Sequence, residues 1–529
     1  MGRAQKIVLM LVVALAIKFA CVALAYELTF SILESFGVPD QGHAALIAYA
    51  PEVWLSLLAL VFGTLIIVVS IASENTPKLV DMFVGDPVGR LYIWMIMLST
   101  LENIFLQIVA EKQSVFVSNM IFMNNYVMLP ASVLLAIPYT FYILKYTKNT
   151  NVIDHIFREN VRAIRRSRTS RAAAWERNQL VLFETVNQLH DLLQYTQFKE
   201  PKGDVISGLG KSVRTYLTYK KSFPPGFYRL SNGVRNDISF RTMQEKYAQI
   251  EMERSFYEHK VLKVFCAIYL LLMKEGHYEL ASLCGSELVE IGNAAMRHHD
   301  KPVTEAVILN FNTLLRYGIN HGLKTREIRN AYNIIYYYNQ LVHTLMEQRD
   351  EEKIETCCTY LGFYAVELSR LRQAEPQLNF LIDAISWELK RNLNYLYDHG
   401  FPEKIQKNVL GNICNLTQMY VPGAEGQDTR SGGLRLIKVS LCLFYLGKDA
   451  LGFVDELLNS IVLDIKLPNG QTLVSELEED CSTLMNEREA FWEETDQGNR
   501  NIYFSSHKEQ IPRLIAYVES RMHSYQFAG

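Results

Sequence analysis

The chain lacks every short motif that would assign it a reaction. It contains no Gly-x-Ser-x-Gly nucleophile motif, no His-Glu-x-x-His zinc motif and no paired carboxylates on one predicted helical face. Its eight cysteines include no Cys-x-x-Cys pair and no histidine partner at zinc-ligand spacing. We therefore expect no cofactor and no metal, and we interpret the cysteines as buried thiols in a reducing compartment. Nothing favours an enzyme, although a membrane-bound enzyme is a third possibility.

The chain also has little excess of either positive or negative charge. The net charge is −3 and charged residues make up 21% of the 529 residues, without the concentrated basic face that is typical of nucleic-acid-binding domains. We therefore expect no nucleic-acid partner. Long apolar runs are confined to residues 1–150, whereas the rest of the chain alternates charged and apolar residues at helical spacing. This contrast predicts two regions of different character.

The apolar runs predict an all-α fold that begins with a four-span transmembrane domain. A span needs roughly 20 residues to cross the hydrocarbon core. The first run could instead be a signal peptide cleaved after Ala25. Lys18 inside its apolar core and the apolar continuation through Leu33 favour an uncleaved span. The predicted spans cover about residues 6–33, 53–73, 91–110 and 120–144.

The basic residues predict the orientation of these spans. Residues 34–52 contain no Lys or Arg, whereas residues 145–178 contain nine against three acidic residues. The short-loop bias of Lys and Arg therefore predicts a multi-pass protein of the cytoplasmic (inner) membrane with both termini in the cytoplasm. We expect the lipid bilayer to be contacted at its anionic surface by Arg162, Arg165, Arg166, Arg168 and Arg171.

One carboxylate lies in the middle of a predicted span, in the run MLSTLENIFLQIV that contains Glu102 and Asn103. A charge at the bilayer centre costs on the order of 2.5–3.5 kcal/mol. Because Lys18 lies at a similar depth in the first span, we expect an ion pair between Lys18 and Glu102. Two alternatives stay open: a protonated Glu102 hydrogen-bonded to Asn103 or to Asn124 and Asn125, and a proton or ion site.

The stretch ASENTPKLVDMFVGD, residues 72–86, follows the second predicted span. It resembles a junction in a widespread family of bacterial membrane proteins of unknown function. The similarity covers about residues 50–145, and little of that family's C-terminal region is recognisable in residues 180–529. The resemblance implies a bacterial cytoplasmic membrane and supplies no activity. The matching positions are Ser73, Glu74, Thr76, Pro77, Lys78, Leu79, Phe83 and Asp86.

The remainder of the chain predicts a cytoplasmic α-solenoid-like array. Helix breakers recur about 25 residues apart from residue 252 onward, so amphipathic helices should stack as antiparallel hairpins with a period of about 50 residues. We also expect a short hairpin over 465–473 and an acidic helix over 475–494. The predicted segments are a transmembrane domain (1–148), basic juxtamembrane and connecting helices (149–250), the helical-repeat array (251–420) and a C-terminal helical region (421–529).

These patterns favour an integral inner-membrane protein whose helical array acts as a scaffold or binds a protein partner. Tyr336, Tyr337 and Tyr338 are candidates for that contact because tyrosine is enriched in interface hot spots, although at helical spacing some must be core. The alternative is an oligomeric ion channel or proton-coupled transporter that uses Glu102. It requires a homo-oligomer, because four spans leave little room for a pathway within one chain.

Three further motifs predict no site. The Gly-Lys-Ser of residues 210–212 has the wrong spacing for a phosphate loop and follows no strand, so we expect Gly210 to open a helix. His298, His299 and Asp300 are adjacent and cannot easily face one metal. Cys357-Cys358 is read as core.

Overall fold

The computed structural model describes residues 43–75, 87–109, 120–121, 123–145, 149–169, 171–371, 378–416, 433–465, 470–495 and 498–521. Within these ranges the protein is almost entirely helical, which confirms the predicted all-α class. The described sheet is one antiparallel pair, β1 (Ala490–Thr495) and β2 (Gly498–Arg500). The chain divides into two compact units, Met1–Arg158 with Asp191–Pro201, and Glu159–His190 with Lys202–Gly529.

The described part of the first unit includes three long apolar helices and a short π-helix (Met123–Met128). The helices are α1 (His43–Asn75), α2 (Pro87–Val109) and α3 (Leu129–Lys145), and they pack on one another. Tyr92 of α2 donates from its hydroxyl to the Ser132 carbonyl of α3 at 2.9 Å. The apolar core between the helices is formed by Trp54, Leu57, Val61, Tyr92, Ile96, Ala136 and Tyr139.

The outer surface of these helices is also apolar. Ile108 of α2 is 73% exposed, and Leu134 of α3 is 72% exposed. Polar side chains are instead buried among the helices, including Ser99, Glu102 and Asn124. This arrangement reverses the usual distribution in a water-soluble domain, where charged side chains are almost never fully buried unless they are paired.

The described helices do not support the predicted count of four spans. By length and composition alone, one of them could cross a membrane, over Leu91–Ile108 of α2, and α1 contains a shorter apolar stretch over Pro51–Ile67. The predicted span 120–144 is divided between the π-helix and the 17-residue α3. The predicted first span, residues 6–33, lies outside the described residues.

The second unit begins with helices that lead into a regular array. After α4 (Asn149–Thr169), which starts in the first unit, come α5 (Ala172–Tyr195) and α6 (Lys199–Lys220). Short helical turns then fill residues 225–253 and bury Phe227, Tyr228, Val234 and Phe240. They are a 3-10 turn (Pro225–Tyr228), α7 (Asn232–Arg235), α8 (Ile238–Arg241), a second 3-10 turn (Gln244–Lys246) and α9 (Tyr247–Glu253).

The array consists of five helical hairpins whose alternate helices form two layers. Layer A contains α10 (Phe256–Glu275), α12 (Lys301–Thr325), α14 (Glu351–Leu371), α16 (Glu403–Cys414) and α18 (Leu451–Ile465). Layer B contains α11 (Tyr278–Arg297), α13 (Arg329–Glu347), α15 (Leu378–Asp398), α17 (Gly433–Gly447) and α19 (Gly470–Asn486). Hydrogen bonds join residues 50 apart, from Arg349 to His399 and from Lys390 to Ser440. They confirm the predicted period.

One turn geometry links each of the five hairpins to the next, from a layer B helix to the following layer A helix. His299, Arg349, Gly400 and Asp449 each have a positive φ, between 54° and 63°. In each case the next residue donates its N–H to the carbonyl five residues earlier, as from Asp300 to Ala295 at 2.9 Å. This is the Schellman ending of a helix, in which a left-handed residue lets the chain reverse within two residues. The repeated turn is the local cause of the regular stacking.

We expect Gly400→Ala to lower the free energy of unfolding by about 1 kcal/mol, because a Cβ is disfavoured in the left-handed region. The φ of Gly400 is 63° and no atom lies within 4 Å of an added Cβ, so backbone conformation alone sets the effect. Urea denaturation measures it. The matched control is Gly411→Ala, equally open but helical, which should be neutral or stabilising. Equal destabilisation by both would contradict this account of the turn.

The predicted boundaries need three corrections near the C-terminus. The array does not end at residue 420, because α17, α18 and α19 continue the same stacking. The predicted hairpin over 465–473 is wrong where it is described, since α19 begins at Gly470. The predicted helix 475–494 ends at Asn486 and is followed by β1. The final helix is α20 (Ile511–Arg521), preceded by a 3-10 turn (Lys508–Gln510).

Candidate functional site

The candidate site of the first unit is a buried polar cluster on α2 and the π-helix. Glu102 is 0% exposed, and Asn103, one residue along α2, is buried beside it. Asn124 and Asn125 of the π-helix are also buried. The π-helix has one extra residue per turn relative to an α-helix, a feature that is frequent at functional sites.

Hydrogen bonds bring the two elements together at the Ser99 carbonyl. The Asn103 amide nitrogen donates to this oxygen at 3.1 Å, and the Asn124 amide nitrogen donates to it at 3.5 Å. Ser99, Glu102 and Asn103 lie three and four positions apart, so they occupy one face of α2. Asn124 therefore faces the side of α2 that carries Glu102.

Several polar atoms of this cluster have no hydrogen-bond partner in the described part of the chain. They are Oδ1 of Asn124 and both amide atoms of Asn125, each of them fully buried. An unsatisfied buried polar group costs roughly 1–3 kcal/mol, so these three atoms call for partners beyond those that the described residues supply.

The sequence prediction of this site is met only in part. Asn103 and Asn124 both donate to the Ser99 carbonyl, whereas the predicted hydrogen bonds between a protonated Glu102 and these asparagines stay a prediction. Lys18 lies outside the described residues, so its predicted ion pair with Glu102 stays a prediction.

The five predicted membrane-surface arginines are all exposed. Four lie on α4, and Arg171 follows directly after it. Arg168 stacks its guanidinium over the Tyr219 ring at 5.2 Å. The opposite side of α4 is apolar and buried, at Ile153, Ile156 and Ile164. These arginines form a surface rather than a closed site.

The three candidate tyrosines of α13 separate into two environments. Tyr338 is fully buried and stacks on Phe311 with ring centroids 5.2 Å apart, so it belongs to the core and cannot contact a partner. Tyr336 and Tyr337 are half-buried, and Tyr337 covers Gly285 of α11. The Tyr336 ring packs edge-on against the Tyr337 ring, with centroids 5.4 Å apart.

The Gly-Lys-Ser and Cys-Cys sequences, for which no site was predicted, lie in packed helices. Gly210 lies inside α6 instead of opening a helix, and an added Cβ there would meet the Glu287 carboxylate at 2.1 Å, which excludes a phosphate loop. Cys357 and Cys358 are fully buried, and burial raises the pKa of both thiols. Among the described residues, no group of three or more His, Cys, Asp or Glu side chains could hold a metal ion.

The array contains a buried ionic triad that joins three helices. The Lys220 ammonium at the end of α6 lies 2.6 Å from the carboxylate of Glu258 on α10 and 2.6 Å from that of Asp300. Glu258 is fully buried, and Asp300 caps the first turn of α12 through the Val303 N–H. Burial alone would lower the pKa of Lys220, but the two carboxylates outweigh it and raise that pKa.

A second buried lysine fixes the connecting segment to α10. Lys260 is 0% exposed, and its ammonium contacts Asp237 and Asn187 at 2.7 Å each. Burial alone would raise the pKa of Asp237, but hydrogen bonds from Lys260, Asn187 and Ser239 lower it to about 2. The Asn187 amide completes the network by donating to Asp237 at 2.9 Å.

This network predicts a pH dependence of stability. The folded-state pKa of Asp237 is depressed from 3.8 to about 2, so its contribution of about 2 kcal/mol is present above about pH 4 and is lost as the pH falls through 2. We expect Asp237→Asn to be destabilised relative to the wild type at pH 6, with the difference shrinking between pH 4 and pH 2. Denaturation of both proteins across this range measures it. A difference independent of pH would refute the assigned shift.

A third buried lysine has no carboxylate partner. The ammonium of Lys390 on α15 donates to the Ser440 hydroxyl at 2.7 Å and to the Phe504 carbonyl at 3.1 Å. Within the described residues it makes no ion pair. Burial therefore lowers the pKa of Lys390 to about 8.

Sequence reasoning missed all three lysine networks. Their partners lie 21 to 114 residues away along the chain, and no local pattern distinguishes Lys220, Lys260 or Lys390 from exposed lysines. The one available signal was position, and it applied to Lys260, whose helical neighbours Phe256, Tyr257 and Val264 are apolar or aromatic.

Comparison of the chain with protein-family models, with curated proteins and with solved structures finds no significant match.

Proposed function

We propose that this chain is a membrane-anchored scaffold whose helical array binds a protein partner. The anchor consists of the apolar helices α1, α2 and α3, and the partner surface lies on layer B of the array. The four-span topology, with both termini in the cytoplasm of a bacterial cell, stays a prediction within this proposal.

The single observation that carries the anchor is the inverted polarity of the first unit. Apolar side chains such as Leu134 and Phe141 point outward, whereas Glu102, Asn103 and Asn124 are buried. In water, such a surface would be an aggregation liability. In a bilayer it is expected, because lipid tails solvate apolar side chains and polar groups of membrane helices face the bundle interior.

The scaffold role is supported by the regularity of the array. Stacked helical hairpins form extended surfaces that other proteins use to bind partners. The lysine networks tie neighbouring helices together through buried ion pairs and hydrogen bonds. Such rigidity suits a surface that must present several side chains in a fixed arrangement, since a preorganised surface loses less entropy on binding.

The proposed partner surface is an aromatic face on α13 and α15, defined by Tyr332, Tyr336 and Phe380. The rings of Tyr332 and Phe380 lie 5.1 Å apart, and Phe380 is exposed. Tyr336 follows Tyr332 by one helical turn and is half-buried. Large aromatic side chains that are already partly held in place provide contact area at a low entropic cost.

Site-specific crosslinking in cells tests this surface. A photoreactive residue in place of Tyr336 should give one dominant adduct of defined mass. The same residue in place of Thr356, which is exposed on α14 of layer A, is the matched control and should give none. Identical adducts at both positions, or no adduct at Tyr336, would count against the proposed surface.

The second candidate function is an oligomeric channel or proton-coupled transporter, and the buried cluster at Glu102 favours it. Intramembrane carboxylates are costly and often mark ion or proton pathways. Purified chain reconstituted in liposomes distinguishes the two functions. Ion or proton flux that Glu102→Gln abolishes, with membrane insertion intact, would support transport, whereas no flux from the wild-type chain supports the scaffold.

A further inference from the structure

We propose that layer B around Trp387 forms a binding groove for an extended segment of a protein partner in which an aliphatic residue precedes a tyrosine. The chain fills this groove with its own residues 502–505, Ile-Tyr-Phe-Ser. These residues, here called the strap, act as an internal competitor of the partner. The inference extends the proposed partner surface by one repeat of the array, and in that respect it rests on the proposed function.

The groove lies where the array repeats the aromatic face of α13. Arg349 follows the end of α13 and Gly400 follows the end of α15, both with a positive φ. Counted back from these two residues, Trp387 occupies on α15 the position that Tyr336 occupies on α13. Tyr336 is half-buried, whereas Trp387 is 8% exposed. The strap accounts for this difference, since its Ile502 shares an apolar cluster with Trp387.

Two side chains of the strap enter the groove. Ile502 is 3% exposed and packs in one cluster with Trp387 and Ile437. The Tyr503 hydroxyl donates to the Asp383 carboxylate at 2.8 Å. An ionised carboxylate only accepts hydrogen bonds, so this position selects a donor such as a phenol. An acidic side chain or a phosphorylated tyrosine is rejected there by like charge.

The groove also binds the backbone of the strap. The Lys390 ammonium donates to the Phe504 carbonyl at 3.1 Å. This contact does not depend on the identity of the side chain, because every residue of an extended segment carries a carbonyl. Main-chain hydrogen bonds combined with pockets for particular side chains are a recurring way of binding peptides. The three contacts together define the partner segment as an aliphatic residue followed by tyrosine in an extended chain.

The strap is suited to displacement because covering Lys390 is costly. Burial lowers the pKa of Lys390 to about 8, and lifting the strap brings its ammonium towards water. The flanks of the strap have attachments of their own. Asn501 donates to the Arg488 carbonyl at 3.1 Å, and Lys508 donates to the Met485 carbonyl at 3.0 Å. The strap can therefore leave the groove while the residues on either side stay in place.

The groove is continuous with the proposed aromatic face. Burial raises the pKa of the Tyr503 phenol, and nearby groups, among them Asp383 and Tyr332, raise it further. Tyr332, a member of the aromatic face, therefore lies near the strap. A partner that binds across α13 and α15 meets the strap, so the two compete for the same surface.

Binding of a peptide to the full-length chain in detergent tests the groove. The probe is the fluorescein-labelled peptide NRNIYFSSHKE, which copies residues 499–509, and fluorescence anisotropy measures its binding. Ile502→Asp opens the groove, because a carboxylate is not stable in the apolar cluster. We expect saturable binding to this variant and at least about tenfold weaker binding to the wild type, since a tethered strap competes at an effective concentration of about millimolar.

Ser506→Asp is the matched control, because it adds the same charge at an exposed position beside the strap, and it should behave as the wild type. A peptide with phenylalanine in place of its tyrosine should bind about fivefold more weakly. If Ile502→Asp fails to fold, Tyr503→Phe replaces it, since this change removes only the hydroxyl. No saturable binding to the opened chain, or equal affinity for the opened and wild-type chains, would overturn the proposal.

A photoreactive residue in place of Trp387 relates the groove to the cellular partner. In the chain that also carries Ile502→Asp it should give an adduct of the same mass as the one at Tyr336, and with the native strap it should give at least about fivefold less. An adduct at Tyr336 with none at Trp387 in either chain would overturn this inference and leave the proposed surface intact. No adduct at Tyr336 would count against the proposed surface, and the peptide titration then decides the groove independently.

Discussion

Lys220→Met is expected to lower the free energy of unfolding of the array by about 3–5 kcal/mol, because it leaves the carboxylates of Glu258 and Asp300 buried without a counter-charge. The ammonium lies 2.6 Å from each carboxylate, and Glu258 is fully buried. Chemical denaturation at pH 7, followed by tyrosine fluorescence, measures the loss. The methionine side chain fills a volume similar to that of lysine. The loss of stability therefore reflects the missing charge and not a cavity.

Two further variants show whether the triad acts as a unit. Lys407→Met removes an ammonium from an exposed ion pair with Glu403 and should change stability far less, as surface pairs contribute little. The double variant Lys220→Met with Glu258→Leu removes the most deeply buried pair of charges and should recover much of the lost stability. If the double variant were less stable than Lys220→Met, the penalty could not come from an uncompensated Glu258.

The opposite sign is expected at Lys390. Its buried ammonium donates hydrogen bonds to Ser440 and Phe504 but has no carboxylate partner among the described residues. Lys390→Met should therefore raise the free energy of unfolding by about 1–3 kcal/mol at pH 7. Burial lowers the pKa of Lys390 from 10.5 to about 8. The wild type therefore regains stability as the pH rises from 8 to 10.5, where the lysine loses its charge in both states.

The gain from Lys390→Met should accordingly disappear between pH 8 and pH 10.5. Denaturation of wild type and variant across this range measures it. Comparing the two lysines separates the cost of desolvating an ammonium from the gain of pairing it with a carboxylate. Both ammonium groups are buried, but among the described residues only Lys220 of the two has carboxylate partners. Destabilisation by Lys390→Met that persists above pH 10 would mean that packing, not charge, dominates at this position.

The array was predictable because its signals are local. Helix breakers such as Gly276 and Gly400 recur at a regular interval, and each has the positive φ of a helix end. The extension of the array beyond residue 420 was missed, because the Gly-rich stretch before Gly433 looks like the end of a domain. Only long-range contacts between α17 and its neighbours show that the stacking continues.

The candidate sites likewise divide into those with a local sequence signal and those that depend on contacts between distant residues. Glu102 was identifiable because a carboxylate contrasts with the apolar residues around it in sequence. Asn124 and Asn125 could be named only as alternatives, since they lie on a π-helix, which has no clear sequence signal and which brings Asn124 to the Ser99 carbonyl. Tyr338 is the core member of the three consecutive tyrosines, because three successive residues occupy three directions around a helix and one of these faces the core.

The most direct test of the membrane anchor is the environment of Leu134, an apolar side chain that is 72% exposed on α3. A spin label introduced there in the reconstituted full-length chain can be probed by collisions with dissolved oxygen, which concentrates in lipid, and with a water-soluble nickel chelate. Thr313, partly exposed on α12 of the array, is the matched aqueous control. The account predicts that oxygen collisions dominate at Leu134 and nickel collisions dominate at Thr313. Dominant nickel collisions at Leu134 would contradict it.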